Sequence, residues 1–449
     1  MRFPRRHAIP VLLAAPLLGQ AAVVAAQLPP PLPAEDRRLA EGCRRAILSC
    51  QLKDGSVLRV GYRLPGNPAE IDPYAANLAA LGVLASFDHH PGVESVRFVQ
   101  DWIDWYGAHQ EPETGYVPRL RGVRSTAGLQ EQAIRLPPES HCVLAASHLL
   151  LVERSTATFR RRLMPQQVQA CERSLALLER CREGDLYRTF DPQQLPPGKT
   201  QARNLTENIE VLQGLDAADR LFQRARQAEL ATRAATQATA LRRRLHAFWS
   251  REQEYFASVW QDPPANRTWG SQPLAAEGRS HLAAIALFDD FPESDRRRLW
   301  RKLNLRYGAE LRQQYAGDRW ATEEPAVERY YFAARRAGTA HEEQQALTLL
   351  RQRCSTLLNR TLALPDSPPN PNRAEELREH ERRLAAEYPA VQRLGMMLIA
   401  LHSQHASTSP FLPTVELDWP DAPLPDAPRD ARSSFRSFRR PTFGGRDVD

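Results

Sequence analysis

The chain has 449 residues, 42% of them hydrophobic, which is ample for a large core and long enough for two or three average domains or one toroid or barrel. Its formal net charge of +7 does not point to a nucleic-acid partner. Arg2, Arg5 and Arg6 lie in a segment expected to be removed, the remaining charge is spread over helices that also carry Asp and Glu, and no basic run is interleaved with aromatics.

At the N-terminus those three arginines precede an apolar stretch from Ala8 to Ala26, interrupted by Pro10, Pro16 and Gln20. Val24-Ala25-Ala26 before Gln27 is a small-residue cleavage site. Residues 1–26 are therefore expected to be a signal peptide and the protein to be exported, periplasmic or secreted; an uncleaved anchor is the alternative. No cysteine follows the stretch, which argues against a lipoprotein anchor, and no later segment is apolar enough to span a bilayer. Lys53, Lys199 and Lys302 are the only lysines, an arginine bias that suggests a GC-rich bacterial genome.

Residues 27–407 read as one domain. Helical periodicity gives about twelve amphipathic segments. They lie at 35–51, from Asp72-Pro73 onward, and at 92–109, 139–154, 166–182, 205–225, 228–250, 275–288, 294–315, 323–337, 341–359 and 389–404. A further charged helix is expected at 374–387. Asp72 as N-cap with Pro73 at the first helical position is a clear start signal. Links after every second segment are about two to eleven residues, whereas most of the others are about twenty to thirty and rich in Pro, Gly, acidic and aromatic residues. In an up-and-down array the long links share one end, so one face is expected to carry the work.

The second helix of each pair is the more apolar and Ala-rich, as at 74–84, 142–151 and 281–288, and suits an inner position. Charged helices such as 294–315 would face water. Closing six hairpins into a ring removes the open ends a solenoid must cap. The predicted fold class is thus all-α, an (α/α)6 toroid with long loops on one face; an open helical repeat is the competitor. Ser56–Tyr62 is the one strand candidate. From Ser409 onward apolar periodicity is lost, and 408–449 is expected to be a disordered Pro/Arg-rich tail.

The six cysteines are Cys43, Cys50, Cys142, Cys171, Cys181 and Cys354. Cys43 and Cys50 stand about 10 Å apart along one helix and Cys171 and Cys181 farther, so any bridge must cross between helices. Buried free thiols are the equal alternative.

Five stretches carry a resemblance. They are Leu52-Lys-Asp-Gly-Ser-Val, Asp72-Pro-Tyr-Ala-Ala-Asn-Leu-Ala-Ala-Leu, Gly184-Asp-Leu-Tyr, Thr206-Glu-Asn-Ile-Glu-Val-Leu-Gln-Gly-Leu, and Trp320 with Glu324-Pro-Ala-Val-Glu-Arg-Tyr-Tyr-Phe. Over about 35–405 the chain resembles the six-hairpin glycosidase superfamily. The resemblance implies an exported bacterial protein that hydrolyses or binds polysaccharide, with carboxylates at the starts of inner helices. Trp269-Gly270-Ser271-Gln272 departs from the pattern in lacking an acid at the corresponding helix start.

Glycoside hydrolysis needs two carboxyl groups across the scissile bond, one held protonated and one ionised. Asp54, Asp72, Glu207 and Glu210 are the catalytic candidates, with Asp54 or Asp72 expected opposite Glu210. Competing local explanations exist for three: Asp72 as N-cap, Asp54-Gly55 as a turn, and Glu207 at capping-box spacing from Asn204. Glu210 lies one turn beyond Glu207, beside the apolar stripe of Ile209, Leu212 and Leu215, and nothing local accounts for it. Tyr74, Asn77, Trp105, Glu113, Tyr116, Tyr187, Asn208, Trp269 and Trp320 are the candidates for holding sugar, since flat rings stack on sugar faces and polar groups bond hydroxyls. Packing between helices is the commoner fate of such rings. His141 and His148 read as core histidines. No HExxH, CxxC, nucleophile elbow, P-loop or dinucleotide glycine pattern occurs, so neither metal nor cofactor is expected. The expected partner is a polysaccharide or oligosaccharide and not nucleic acid. If the toroid is a non-catalytic accessory, exopolysaccharide or cell-envelope proteins join it.

Overall fold

A computed structural model describes residues 31–59, 68–123, 134–136, 140–196, 201–260, 274–316, 326–362 and 391–403. The helices are α1 (Ala34–Leu48), α2 (Pro73–Ala85), α3 (Val93–His109), α4 (His141–Phe159), α5 (Pro165–Cys181) and α6 (Leu205–Arg224). They continue with α7 (Ala228–Leu245), α8 (Leu274–Leu287), α9 (Glu293–Ala316), α10 (Val327–Ala337), α11 (Ala340–Leu362) and α12 (Val391–His402). The expected signal peptide, the charged helix at 374–387 and the tail from 408 lie outside the described residues.

Parity decides position. The even helices touch in the order α2, α4, α6, α8, α10, α12 and back to α2, a closed inner ring, with the odd helices outside. The protein is an all-α (α/α)6 toroid; closure excludes the open repeat. Composition explains the division. In α2 only Tyr74 and Ala85 escape full burial, and α4 is buried continuously from His141 to Glu153, so both need apolar or small residues on every side. In outer α9 the buried Leu299, Trp300, Leu303, Tyr307, Leu311 and Tyr315 recur at helical spacing, and most of the intervening charges face water.

Small residues let the inner helices approach closely. A Cβ on Gly395 would lie 2.3 Å from the Leu78 carbonyl oxygen, and one on Gly82 would lie 2.5 Å from that of Gly395. At this crossing α2 and α12 meet backbone to backbone, where the end of the chain returns to its beginning. Asn77 ties the ring radially. Its amide donates to Ser147 Oγ on α4 at 2.9 Å, and its oxygen accepts from Trp102 Nε1 on α3 at 2.9 Å. Asn77→Ala would leave Trp102 Nε1 buried without its acceptor and Ser147 with only its bond to the Leu144 carbonyl, and urea unfolding is expected to show a loss of about 1–3 kcal/mol.

The strands correct the sequence reading. β1 (Pro68–Ile71), β2 (Arg119–Val123) and β3 (Ile134–Leu136) form an antiparallel sheet, with Ile71 opposite Leu120 and Arg121 opposite Ile134. Two short hairpins follow, β4 (Arg182–Glu183) with β5 (Leu186–Tyr187), and β6 (Trp249–Ser250) with β7 (Tyr255–Phe256). All belong to the long links. β1 pairs with a strand two helices later, so local periodicity carries no trace of the partnership. At the one strand expected, Ser56–Tyr62, Val57 makes a single bridge to Gln51, and the residues from 60 lie outside the described ones. No described helix is long and apolar enough to cross a membrane.

Candidate functional site

All six inner helices send residues from their N-terminal halves, or from just before them, into one cavity of about 530 Å³. Tyr74 and Leu78 come from α2, Ser140, Val143 and Ser147 from the start of α4, and Glu207, Glu210 and Gln213 from α6. Arg279 comes from α8, Ala326 and Arg329 from the start of α10, and Arg393 and Met396 from α12. The cavity is the mouth of the ring on the long-link side, and its volume suits a small-molecule or oligomer-end ligand.

The start of α6 supplies its carboxylates. Leu205, Ile209 and Leu212 are buried, which turns Glu207 and Glu210, one turn apart, toward the mouth. The link after β7 braces this start from outside: the Leu205 amide donates to the Ser258 carbonyl at 2.9 Å and the Trp260 amide to that of Arg203 at 2.9 Å. Asn208 pins the β4–β5 hairpin beside it, accepting from the Tyr187 amide at 2.8 Å and donating to the Tyr187 carbonyl at 2.9 Å.

The two carboxyl groups have different environments. Glu207 Oε2 accepts from Thr189 Oγ1 at 2.7 Å and from Asn204 Nδ2 at 2.9 Å. Burial nevertheless raises its pKa from the ordinary glutamate value; those hydrogen bonds pull the other way, while the charge of Glu210 adds to the rise. Glu210 is clamped, Oε1 by Arg329 Nη2 at 2.6 Å and Oε2 by the Tyr74 hydroxyl at 2.8 Å. Burial and the Glu210 charge push the Tyr74 phenol well above its ordinary value, so it stays a donor. Arg393 spans 3.2 Å to the fully buried Glu328. One helix thus presents a carboxyl biased toward its protonated form beside one held in an ion pair, a division suited to acid and charge-stabilising roles.

Of the residues anticipated, Tyr74, Glu207 and Glu210 meet in this cavity. Asp72 does not line it: the side chain caps α2, accepting from the amides of Tyr74 at 3.1 Å and Ala75 at 3.2 Å, with Arg119 Nε 3.7 Å away. Asp54 is exposed and closes a turn onto Ser56, whose hydroxyl donates to it at 2.6 Å. Contrary to expectation, neither Asp54 nor Asp72 lines the cavity opposite Glu210; the other described carboxylate lining it is Glu207, on the same helix. Asn204 also differs from expectation: its side chain bonds the Glu207 carboxylate instead of capping a backbone amide.

Among the sugar-holding candidates, Asn77, Trp105, Tyr187 and Asn208 are buried in helix packing. Trp105 stacks on Trp102 at 5.1 Å and on His109 at 4.0 Å, and the Tyr187 hydroxyl donates to Gln237 at 2.9 Å. Tyr116 stacks on His141 at 5.3 Å, and Glu113 is exposed; neither lines the cavity. Trp269 and Trp320 lie outside the described residues. His141 and His148 are buried, and burial lowers their pKa values to about 4 and about 3, leaving both neutral core groups. No cluster able to hold a metal ion occurs among the described residues.

Arg279, Arg329, Arg393, Ser140, Ser147 and Gln213 were not anticipated. A positional signal was present for two of them: Arg329 and Arg393 are the third residues of α10 and α12, as Glu207 is of α6.

No protein-family profile and no curated protein sequence matches the chain. Solved structures do. A glycosidase variant in complex with glucose matches at TM-score 0.50 and 15% identity, over 83% of this chain and 97% of its own. A second glycosidase variant matches at 0.51 and 14% over the same shares. The rhamnosidase from Klebsiella oxytoca with rhamnose bound matches at 0.51 and 13%, over 81% of this chain and 63% of its own. The likeness defines the fold: this chain has the six-hairpin, glycosidase-type toroid.

Proposed function

We propose that the protein is an exported, carbohydrate-active hydrolase that takes a glycan into the mouth of the ring. In this reading Glu207 protonates the departing glycosidic oxygen as its bond to the sugar breaks, and Glu210 supplies the negative charge that stabilises the cationic sugar ring in the transition state; water then adds to the anomeric carbon and its proton returns to Glu207. The observation that carries it is the neighbouring pair of unlike carboxyl groups in a cavity lined by all six inner helices. Tyr74 and Arg329 fix Glu210, so its charge is organised before substrate arrives. The solved glycosidases of the same fold support a sugar as the ligand.

A second reading, glycan binding without hydrolysis alongside exopolysaccharide or cell-envelope proteins, is favoured by one observation. Both carboxyl groups rise from a single helix, and neither Asp54 nor Asp72 faces them across the cavity. A panel of bacterial and plant polysaccharides and oligosaccharides separates the two, with reducing-end release and binding followed on the same samples. Release supports the hydrolase; binding without release supports the second reading; absence of both contradicts a carbohydrate role. Export rests on residues 1–26, and N-terminal sequencing of the protein recovered from producing cells is expected to begin at Gln27. Recovery of Met1 in the cytosolic fraction would contradict it.

A further inference from the structure

The seam where the ring's first outer helix meets its last holds a pair of cysteines. Cys43 on α1 and Cys354 on α11 are fully buried, and their sulfur atoms lie 3.3 Å apart. Two further contacts fix the same helix faces. Asp36 on α1 accepts two bonds from Arg351, each 2.6 Å. Gly42 leaves room for Leu358: a Cβ there would stand 2.7 Å from Leu358 Cδ1. Asp36 and Cys43, seven residues apart, share one side of α1 with Gly42 flanking it, and Arg351, Cys354 and Leu358 share one side of α11, as helical spacing requires. The cysteines are therefore held face to face by an ion pair one turn before Cys354 and a close helix approach one turn after it.

We propose that Cys43 and Cys354 close into a disulfide that fastens the first outer helix to the last and locks the ring. A covalent sulfur–sulfur bond is about 2.05 Å, so closure asks the two atoms to approach by little more than an ångström, within reach of side-chain rotation. The oxidant is a small or protein disulfide. One cysteine, as thiolate, attacks it and displaces one of its sulfurs as a thiol, giving a mixed disulfide. The second then attacks its partner's sulfur and releases the other as a thiol, so two cysteine thiols are oxidised and one external disulfide is reduced. The hydrogen bond that pairs it with Cys354, together with burial, holds the Cys43 thiol well above its ordinary range. That favours closure while the chain is folding and the pair is still accessible. The other described thiols have different surroundings: Cys50 donates to the Ala46 carbonyl and Cys142 lies against Ser140. The bridge would span 311 positions of chain, the long-range case in which a cross-link constrains the unfolded state most.

The test refolds the full chain from denaturant in a mixture of oxidised and reduced glutathione, alkylates the remaining thiols, and maps peptides without reduction. The expected result is one cross-linked peptide joining Cys43 to Cys354, with Cys50, Cys142, Cys171 and Cys181 alkylated. The Tm should fall by about 5 °C on adding reductant, and should not respond to reductant in Cys354→Ala. Folded, oxidised protein in which Cys43 and Cys354 are alkylated, or joined to other cysteines, overturns the proposal, as does a wild-type Tm indifferent to reductant. Should Cys354→Ala not fold, the wild-type map and its Tm in the two conditions decide.

Discussion

Glu207→Gln is expected to lower sugar release by a factor of about 10² to 10⁴, the usual contribution of a positioned proton donor, while the ring stays folded. The wild-type rate should fall as pH rises through the elevated pKa of Glu207, because only the protonated form can donate. The variant should lose that limb. Stability runs with the same sign. A carboxyl whose folded pKa is raised contributes stability below its unfolded value and loses it as pH rises through the folded one. Above its raised pKa the Glu207 charge therefore costs stability, and the amide, which keeps an acceptor for Thr189, should melt there at the same temperature or higher. Unchanged release, or an unchanged high-pH limb, would remove Glu207 from the chemistry.

Gly395→Ala is expected to be the most costly added methyl among the described glycines, destabilising by about 3 kcal/mol in urea unfolding. The added Cβ would sit 2.3 Å from a backbone oxygen of α2 and 2.7 Å from the Ala79 Cα, and neither can move without shifting a buried helix. Gly107→Ala is the contrast. There a Cβ meets only the Ala170 Cβ at an ordinary 3.5 Å, so the gain in helix propensity should leave stability unchanged or raised by up to about 1 kcal/mol. Equal effects at the two sites would contradict the backbone-to-backbone closure of α2 on α12.

The ring was legible because its determinants are local. Burial on every side demands the Ala-rich, apolar runs seen in α2, α4 and α8, burial on one side demands a stripe as in α9, and inner and outer helices alternate along the chain. The sheet was not legible, since β1 and β2 lie in separate links with α2 and α3 between them in the chain. At the site, spacing brought Glu207 and Glu210 forward but could not separate Asp72 from them. An acid at the start of an inner helix can turn inward to the mouth or back onto its own amides, and Pro73 at the first helical position favours the second arrangement. Arg329 was missed for a different reason. Its place as the third residue of an inner helix was the one local mark it carried, while its partner Glu210 is 119 residues away and Tyr74 a further 136 from that glutamate.

Structure determination of Glu207→Gln with a glycan from the panel bound tests the central claim most directly. The account predicts a sugar in the ring mouth, with its glycosidic oxygen in hydrogen-bond reach of the side chain at 207 and its ring against Glu210, while Arg329 and Tyr74 keep their hold on that carboxylate. A glycan bound elsewhere on the toroid, with the mouth free of it, would contradict the account.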